Sequence, residues 1–125
     1  MVENNTLQPA ISIDYKQNRI RIYKRTLRLI GNPDYIILLI NPEEQILIIL
    51  SSDKSDKKAF HTKRLITGNK QSYEISSKHL LRKLLAVCTN WQDNRLYRVY
   101  GEVVPNQSAV QFRLTDAFIA CGTKG

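Results

Sequence analysis

The run from Tyr35 to Leu50 limits the fold more than any other part of the chain. It reads YIILLI, then the turn Asn41-Pro42-Glu43-Glu44, then ILIIL. Two apolar segments of strand length joined by a short turn make a hairpin. Continuous apolar strands, with no polar alternation, are buried on both faces. An isolated hairpin has nothing to cover its second face, so this one requires a barrel, a second half of the same chain, or a partner chain.

The residues around the hairpin suggest a second half. Ile11, Ile13 and Tyr15 alternate with Ser12 and Asp14, which predicts a first strand. Lys16-Gln17-Asn18 is a polar connection, and Arg19 to Tyr23 is a second strand that closes a hairpin with the first. Lys24 to Ile30 is a short helix candidate, stopped by Gly31-Asn32-Pro33. The polar segment SSDKSDKK, residues 51–58, has no apolar residue and reads as a linker.

The plan then recurs. Phe60 to Ile66 is strand-like, Thr67-Gly68-Asn69-Lys70 is a turn, and Ser72 to Ile75 is a strand. Ser76 or Ser77 can cap a helix from Lys78 to about Cys88, with Leu80, Leu81, Leu84, Leu85 and Cys88 on one face. Arg95 to Val103 and Ala109 to Leu114 form a closing hairpin around Pro105-Asn106-Gln107. When the halves are laid together, Ile22 falls on Ile75, Arg25 on Lys78, Leu27 on Leu80 and Pro42 on Pro105. The expected organisation is a first half over residues 10–50, a linker over 51–58 and a second half over 59–115, with tails at 1–9 and 116–125.

Within the first half, RIRIYKRTLRLIG, residues 19–31, carries Arg19, Arg21, Lys24, Arg25 and Arg28 and no acidic side chain. Ile20 and Ile22 point to a core, so Arg19 and Arg21 share the opposite face of the strand. A fixed row of cations suits phosphate, whose contacts dominate nucleic-acid affinity. The same row also suits a solvated strand face that discourages edge-to-edge aggregation. The net charge of +8 favours an anionic partner, whether nucleic acid, a membrane surface or an acidic protein.

The hairpin–helix–hairpin plan, with Arg19, Ile20 and Ile22 leading into Lys24, Leu27, Arg28 and Gly31, resembles the AbrB-like (swapped-hairpin) DNA-binding family. The tandem arrangement is similar to the MraZ-like form of it. Asp14, Lys16 and Arg19 stand for that form's opening Asp-x-Lys-Gly-Arg, with one residue extra and no glycine. Tyr23 occupies the place of its proline, and Ser72 and Glu74 stand where Arg19 and Arg21 stand in the first half. The resemblance implies an α+β, mostly β fold of two AbrB-like β-β-α-β-β halves forming a small barrel-like pseudo-dimer. It further implies a transcription-regulator activity on duplex DNA, and units that come together, within one chain or as a homo-oligomer.

The expected contact residues are Lys16, Arg19, Arg21, Lys24, Arg25 and Arg28. A second basic cluster, Lys57, Lys58, His61, Lys63 and Arg64, is diluted by Asp53 and Asp56. Lys78, Arg82 and Lys83 form the polar face of the second helix. No His/Cys/Asp/Glu cluster has metal-ligand spacing, and no paired carboxylates or oriented nucleophile are evident, so neither catalysis nor a cofactor is expected. Trp91, Tyr97 and Tyr100 can stack on bases, which keeps a single-stranded DNA or RNA binder open beside a protein-interaction module of antitoxin, anti-restriction or adaptor type. MVENNTLQPA lacks the apolar core of a signal peptide, and no run approaches the ~20 residues of a membrane span. Two cysteines, Cys88 and Cys121, fit a reducing cytoplasm, and a disulfide between them stays open.

Overall fold

The structure, a computed structural model, describes residues 8–66 and 71–120. The expected turn at 67–70 and Cys121 lie outside the described residues. The fold is mostly β, with one sheet that curls into an open half-barrel. Its strands are β1 (Ala10–Asp14), β2 (Arg19–Tyr23), β3 (Tyr35–Asn41), β4 (Ile46–Ser52), β5 (Phe60–His61), β6 (Ser72–Ile75), β7 (Leu96–Val104), β8 (Ala109–Arg113) and β9 (Phe118–Ile119). Helices α1 (Lys24–Arg28) and α2 (Lys78–Val87) follow β2 and β6.

The strand order is β5-β3-β4-β8-β7-β1-β2-β6, with β9 beside β7. The apolar hairpin thus finds its cover within the chain: β4 pairs with β8, and Leu47, Ile49, Val110 and Phe112 face one core with Ile11, Ile13, Ile20, Ile22, Leu27 and Leu84. That cover is one-sided. Ile37 lies opposite Leu50 and Leu39 opposite Ile48 on the outward face, where Leu39 is 46% exposed. Within this chain the second face of the hairpin is only partly covered, with Ile37, Ile48 and Leu50 half-buried around Leu39.

Local chemistry sets the ends of the elements. Asp14 Oδ1 accepts from the backbone N–H of Lys16 (2.9 Å) and Gln17 (3.1 Å), and Asn18 takes φ +56°, which turns β1 into β2. Helix α1 ends at Arg28, two residues before the expected Ile30. Asn32 N–H reaches back to Leu27 O at 2.8 Å, and Gly31 and Asn32 adopt φ +86° and +50°, left-handed values that divert the chain. Buried Thr26 fastens α1 to β1: its Oγ1 donates to Ala10 O (2.8 Å) and accepts from Ala10 N (2.9 Å). In α2, Ser77 is the cap, its side chain accepting from Leu80 N, and Leu81 and Leu84 are buried beneath the helix with Cys88 just past its end.

The segment from Phe60 to Ile66 is not the single strand expected. Only Phe60 and His61 pair with β3. One 3-10 turn, Thr62–Arg64, follows, and Ile66 then bridges Tyr73 of β6. Buried Thr62 causes the break, since its Oγ1 donates to Pro33 O (2.9 Å) and Asp34 O (3.2 Å). Ser51 and Ser52, read as linker, extend β4. Phe118 and Ile119, read as tail, add to β7. Among the described residues, no helix is long and apolar enough to cross a membrane.

Candidate nucleic-acid interface

The outward face of β7, β1, β2 and β6 brings Arg19, Arg21 and Arg98 together. Alternation sends Ile20 and Ile22 to the core, so Arg19, Arg21 and Tyr23 stand on the other side. Register fixes their neighbours. Asp14 lies opposite Arg19, Ser12 opposite both Arg21 and Arg98, and Arg21 opposite Glu74. One transverse row therefore runs Arg98, Ser12, Arg21, Glu74 across four strands.

Glu74 holds both arginines of β2. Its Oε1 accepts from Arg19 Nη1 at 3.1 Å, and its Oε2 accepts from Arg21 Nη2 at 3.0 Å and Nε at 3.2 Å. Arg19 Nε also lies 3.7 Å from Asp14 Oδ2. The side chains of Arg19, Arg21 and Glu74 keep 24, 33 and 22% of their surface exposed, so the cluster is half-buried and charge-compensated, not a free cationic ridge. The arginine pair, which the repeat pattern alone did not require, thus ties β2 to β6.

Beside this cluster stands an aromatic one. Tyr23 Oη shares a hydrogen bond with Ser12 Oγ (2.9 Å) and accepts from Arg98 Nη2 (3.0 Å). The guanidinium carbons of Arg25 and Arg98 lie 5.4 and 5.7 Å from the centre of its ring. Arg25 Nε donates to Gln8 O at 2.7 Å. Arg98 was not among the expected contact residues. Its place on the outward face is readable from the alternation of Tyr97 and Val99, but its proximity to Arg21 depends on the pairing of β1 with β7, which no local pattern encodes.

The other expected residues distribute around this face. Lys16 is exposed in the β1–β2 turn, Lys24 and Arg25 are half-buried at the start of α1, and Arg28 is exposed at its end. Helix α1 has five residues, and Lys24 and Arg25 at its start oppose the positive end of its dipole.

Lys57, Lys58, Lys63 and Arg64 are exposed elsewhere, and His61 stacks on Tyr35 at 4.7 Å. The Ser55 hydroxyl and backbone N–H hold the Asp53 carboxyl below its ordinary range. Lys78, Arg82 and Lys83 line the exposed side of α2.

The aromatic candidates for base stacking are largely engaged within the fold. Trp91 stacks on Tyr97 with centroids 4.4 Å apart and planes 9° apart, and Tyr15 meets both edge-on. Tyr100 packs against Phe118 at 6.0 Å. Among the described residues, no group of three or more His, Cys, Asp or Glu side chains is placed to hold a metal ion. No family model, curated protein or solved structure matches this chain.

Proposed function

We propose that the protein is a non-enzymatic duplex-DNA-binding protein, a transcription regulator built of two AbrB-like halves in the MraZ-like tandem form. The observation that carries this reading is the outward face of β7, β1, β2 and β6. There Arg19, Arg21, Arg25 and Arg98 stand against Asp14 and Glu74 among the described residues, with Lys16, Lys24 and Arg28 around them. The uncompensated charge neutralises phosphates, and the held arginine pair presents its remaining donors to base edges.

The pairing pattern supports the pseudo-dimer. Strand β1 lies between β2 and β7, and the segment from Phe60 to Ile66 touches the corresponding pair with the halves exchanged, β3 through Phe60 and His61 and β6 through Ile66. In the alignment that lays Ile22 on Ile75, Arg21 falls on Glu74. In the one that lays Pro42 on Pro105, Ile48 falls on Gln111. Both are pairs in which each residue faces its own counterpart, in β2–β6 and in β4–β8. Two-fold related halves have this property at their axis.

A protein-interaction module is the second reading. The outward aliphatic face of β3 and β4, made by Ile37, Leu39, Ile48 and Leu50, favours it, because a bare sheet face of this kind marks association, with a partner or as a homo-oligomer. The single-strand alternative is weakened by the packing of Trp91 and Tyr97. A filter-binding assay with duplex DNA, single-stranded DNA and RNA at two salt concentrations separates the readings. Duplex preference that fades with salt supports DNA binding in a cytoplasmic regulator. Absence of nucleic-acid affinity at low salt overturns it in favour of a protein partner.

A further inference from the structure

We propose that Arg25 and Arg98, both held against Tyr23, form a phosphate-binding site separate from the Arg19–Arg21 pair, and that its ligand is the phosphodiester backbone of nucleic acid. The proposal rests on the DNA-binding reading above and adds residues that the sequence pattern does not single out as a unit.

Charge compensation separates the two arginine pairs. Arg19 and Arg21 already have a carboxylate on them, so a phosphate reaching them must compete with Glu74. Arg25 and Arg98 have no carboxylate within ion-pair distance among the described residues. Their contacts are neutral: the Gln8 carbonyl for Arg25, and the Tyr23 hydroxyl and ring for Arg98. Such contacts orient a guanidinium without cancelling its charge.

Arg98 Nε is buried and has no hydrogen-bond partner; Arg19 Nε shares this state but has the Asp14 carboxylate 3.7 Å away, whereas Arg98 has none among the described residues. A buried N–H without an acceptor is an uncompensated cost, and such groups call for a functional account. A phosphate oxygen supplies the missing acceptor, and the planar guanidinium fork matches phosphate geometry in two hydrogen bonds.

Tyr23 does two jobs in this site. Its hydroxyl, hydrogen-bonded with Ser12 Oγ at 2.9 Å, anchors Arg98 through Nη2, and its ring attracts both guanidinium groups. The two cations are thereby held in place before a ligand arrives, which lowers the ordering cost of binding. Tyr23 is a positioning residue, and the phosphate contacts belong to Arg25 and Arg98.

The test uses the full chain, with arginine Nε–H signals followed by NMR during addition of inorganic pyrophosphate and, separately, a short DNA duplex. Duplex affinity is measured in parallel against salt. The Arg25 and Arg98 signals should shift with both probes, and more than those of Arg19 and Arg21. Arg25→Ala and Arg98→Ala should each weaken duplex binding about tenfold and lower the salt slope by about one. Tyr23→Phe keeps the ring and loses the hydroxyl anchor, so it should weaken binding about threefold with the slope unchanged. Arg98→Lys keeps the charge without the fork and should recover the slope but not the full affinity.

Duplex binding that is unaltered in affinity and slope by Arg25→Ala and Arg98→Ala overturns this site and leaves the DNA-binding reading standing. Pyrophosphate shifts at Arg25 and Arg98 in a protein that binds no duplex overturn the DNA-binding reading, and with it the nucleic-acid ligand, while leaving an anion site. No shift with either probe overturns the site whether or not Arg98→Ala folds, because that measurement is made on the unaltered chain.

Discussion

Arg21 and Glu74 face each other across β2 and β6, with Arg21 Nε and Nη2 both donating to one carboxylate oxygen at 3.2 and 3.0 Å. Arg19 takes the other oxygen at 3.1 Å. One carboxylate therefore sets the direction of two guanidinium groups and competes with any anion that approaches them. Glu74→Gln removes that charge and keeps the shape. The expected result is a loss of about 1 kcal/mol of stability, in the range of half-exposed ion pairs, together with tighter duplex binding and a salt slope steeper by about one unit. Urea denaturation and salt-dependent binding of the same variant check both effects.

The strand pattern was largely legible in the chain, because it depends on alternation and turn residues that are local. Residues 19–23 and 72–75 form strands as read, and Ser77 caps a helix whose buried face is Leu81 and Leu84. The exceptions have non-local causes. The segment from Phe60 to Ile66 has a strand-like pattern, yet Thr62 hydrogen-bonds carbonyls 28 and 29 residues earlier and forces a 3-10 turn. The grip of Glu74 on Arg19 spans 55 residues and depends on β2 pairing with β6. The basic segment was visible as residues, but its neutralisation, and the addition of Arg98 beside it, exist only once the sheet is assembled.

Gly101 stands in β7 opposite Phe112, where a methyl group has no room. A Cβ at Gly101 would sit 2.6 Å from Phe112 Cδ1 and closer still to the Gln111 carbonyl oxygen, inside van der Waals contact with a fully buried ring and with backbone. Gly101→Ala should destabilise the protein by about 2 kcal/mol through overpacking, seen in thermal unfolding as a Tm lower by about 5–10 °C. A Tm within a degree or so of the parent would mean that the β7–β8 pair adapts, contrary to this packing.

Alkaline pH should unfold the protein through its buried acids. Burial pushes the Cys88 thiol from 9.0 up to about 11, and burial, with Cys88 and Tyr97 beside it, raises the Tyr15 phenol as well. The folded state holds both groups neutral, whereas the unfolded thiol begins to ionise near 9.0. Their contribution is therefore complete below about pH 9 and falls as pH rises toward about 11. Urea midpoints at successive pH values should decline across that window, and less steeply in Cys88→Ala. The same burial predicts that Cys88 reacts with thiol reagents only when the protein unfolds.

The outward face of β3 and β4 should drive self-association or partner binding. Leu39 is 46% exposed there, opposite Ile48 and next to the Ile37–Leu50 pair on the same face. Leu39→Lys should leave the fold intact, because the side chain faces outward, and should convert any concentration-dependent oligomer to monomer. Sedimentation at micromolar concentration checks this. A strict monomer in the unaltered protein would count against a homo-oligomer and leave a different protein as the face's partner.

Binding of duplex DNA to the outward face of β7, β1, β2 and β6 is tested most directly by a map of backbone amide shifts on adding duplex DNA to the isotopically labelled chain at low salt. Shifts should concentrate in residues 16–28 and 96–100 and fade as salt is raised. Shifts centred instead on the β3–β4 hairpin, or no shifts at saturating duplex, would contradict it.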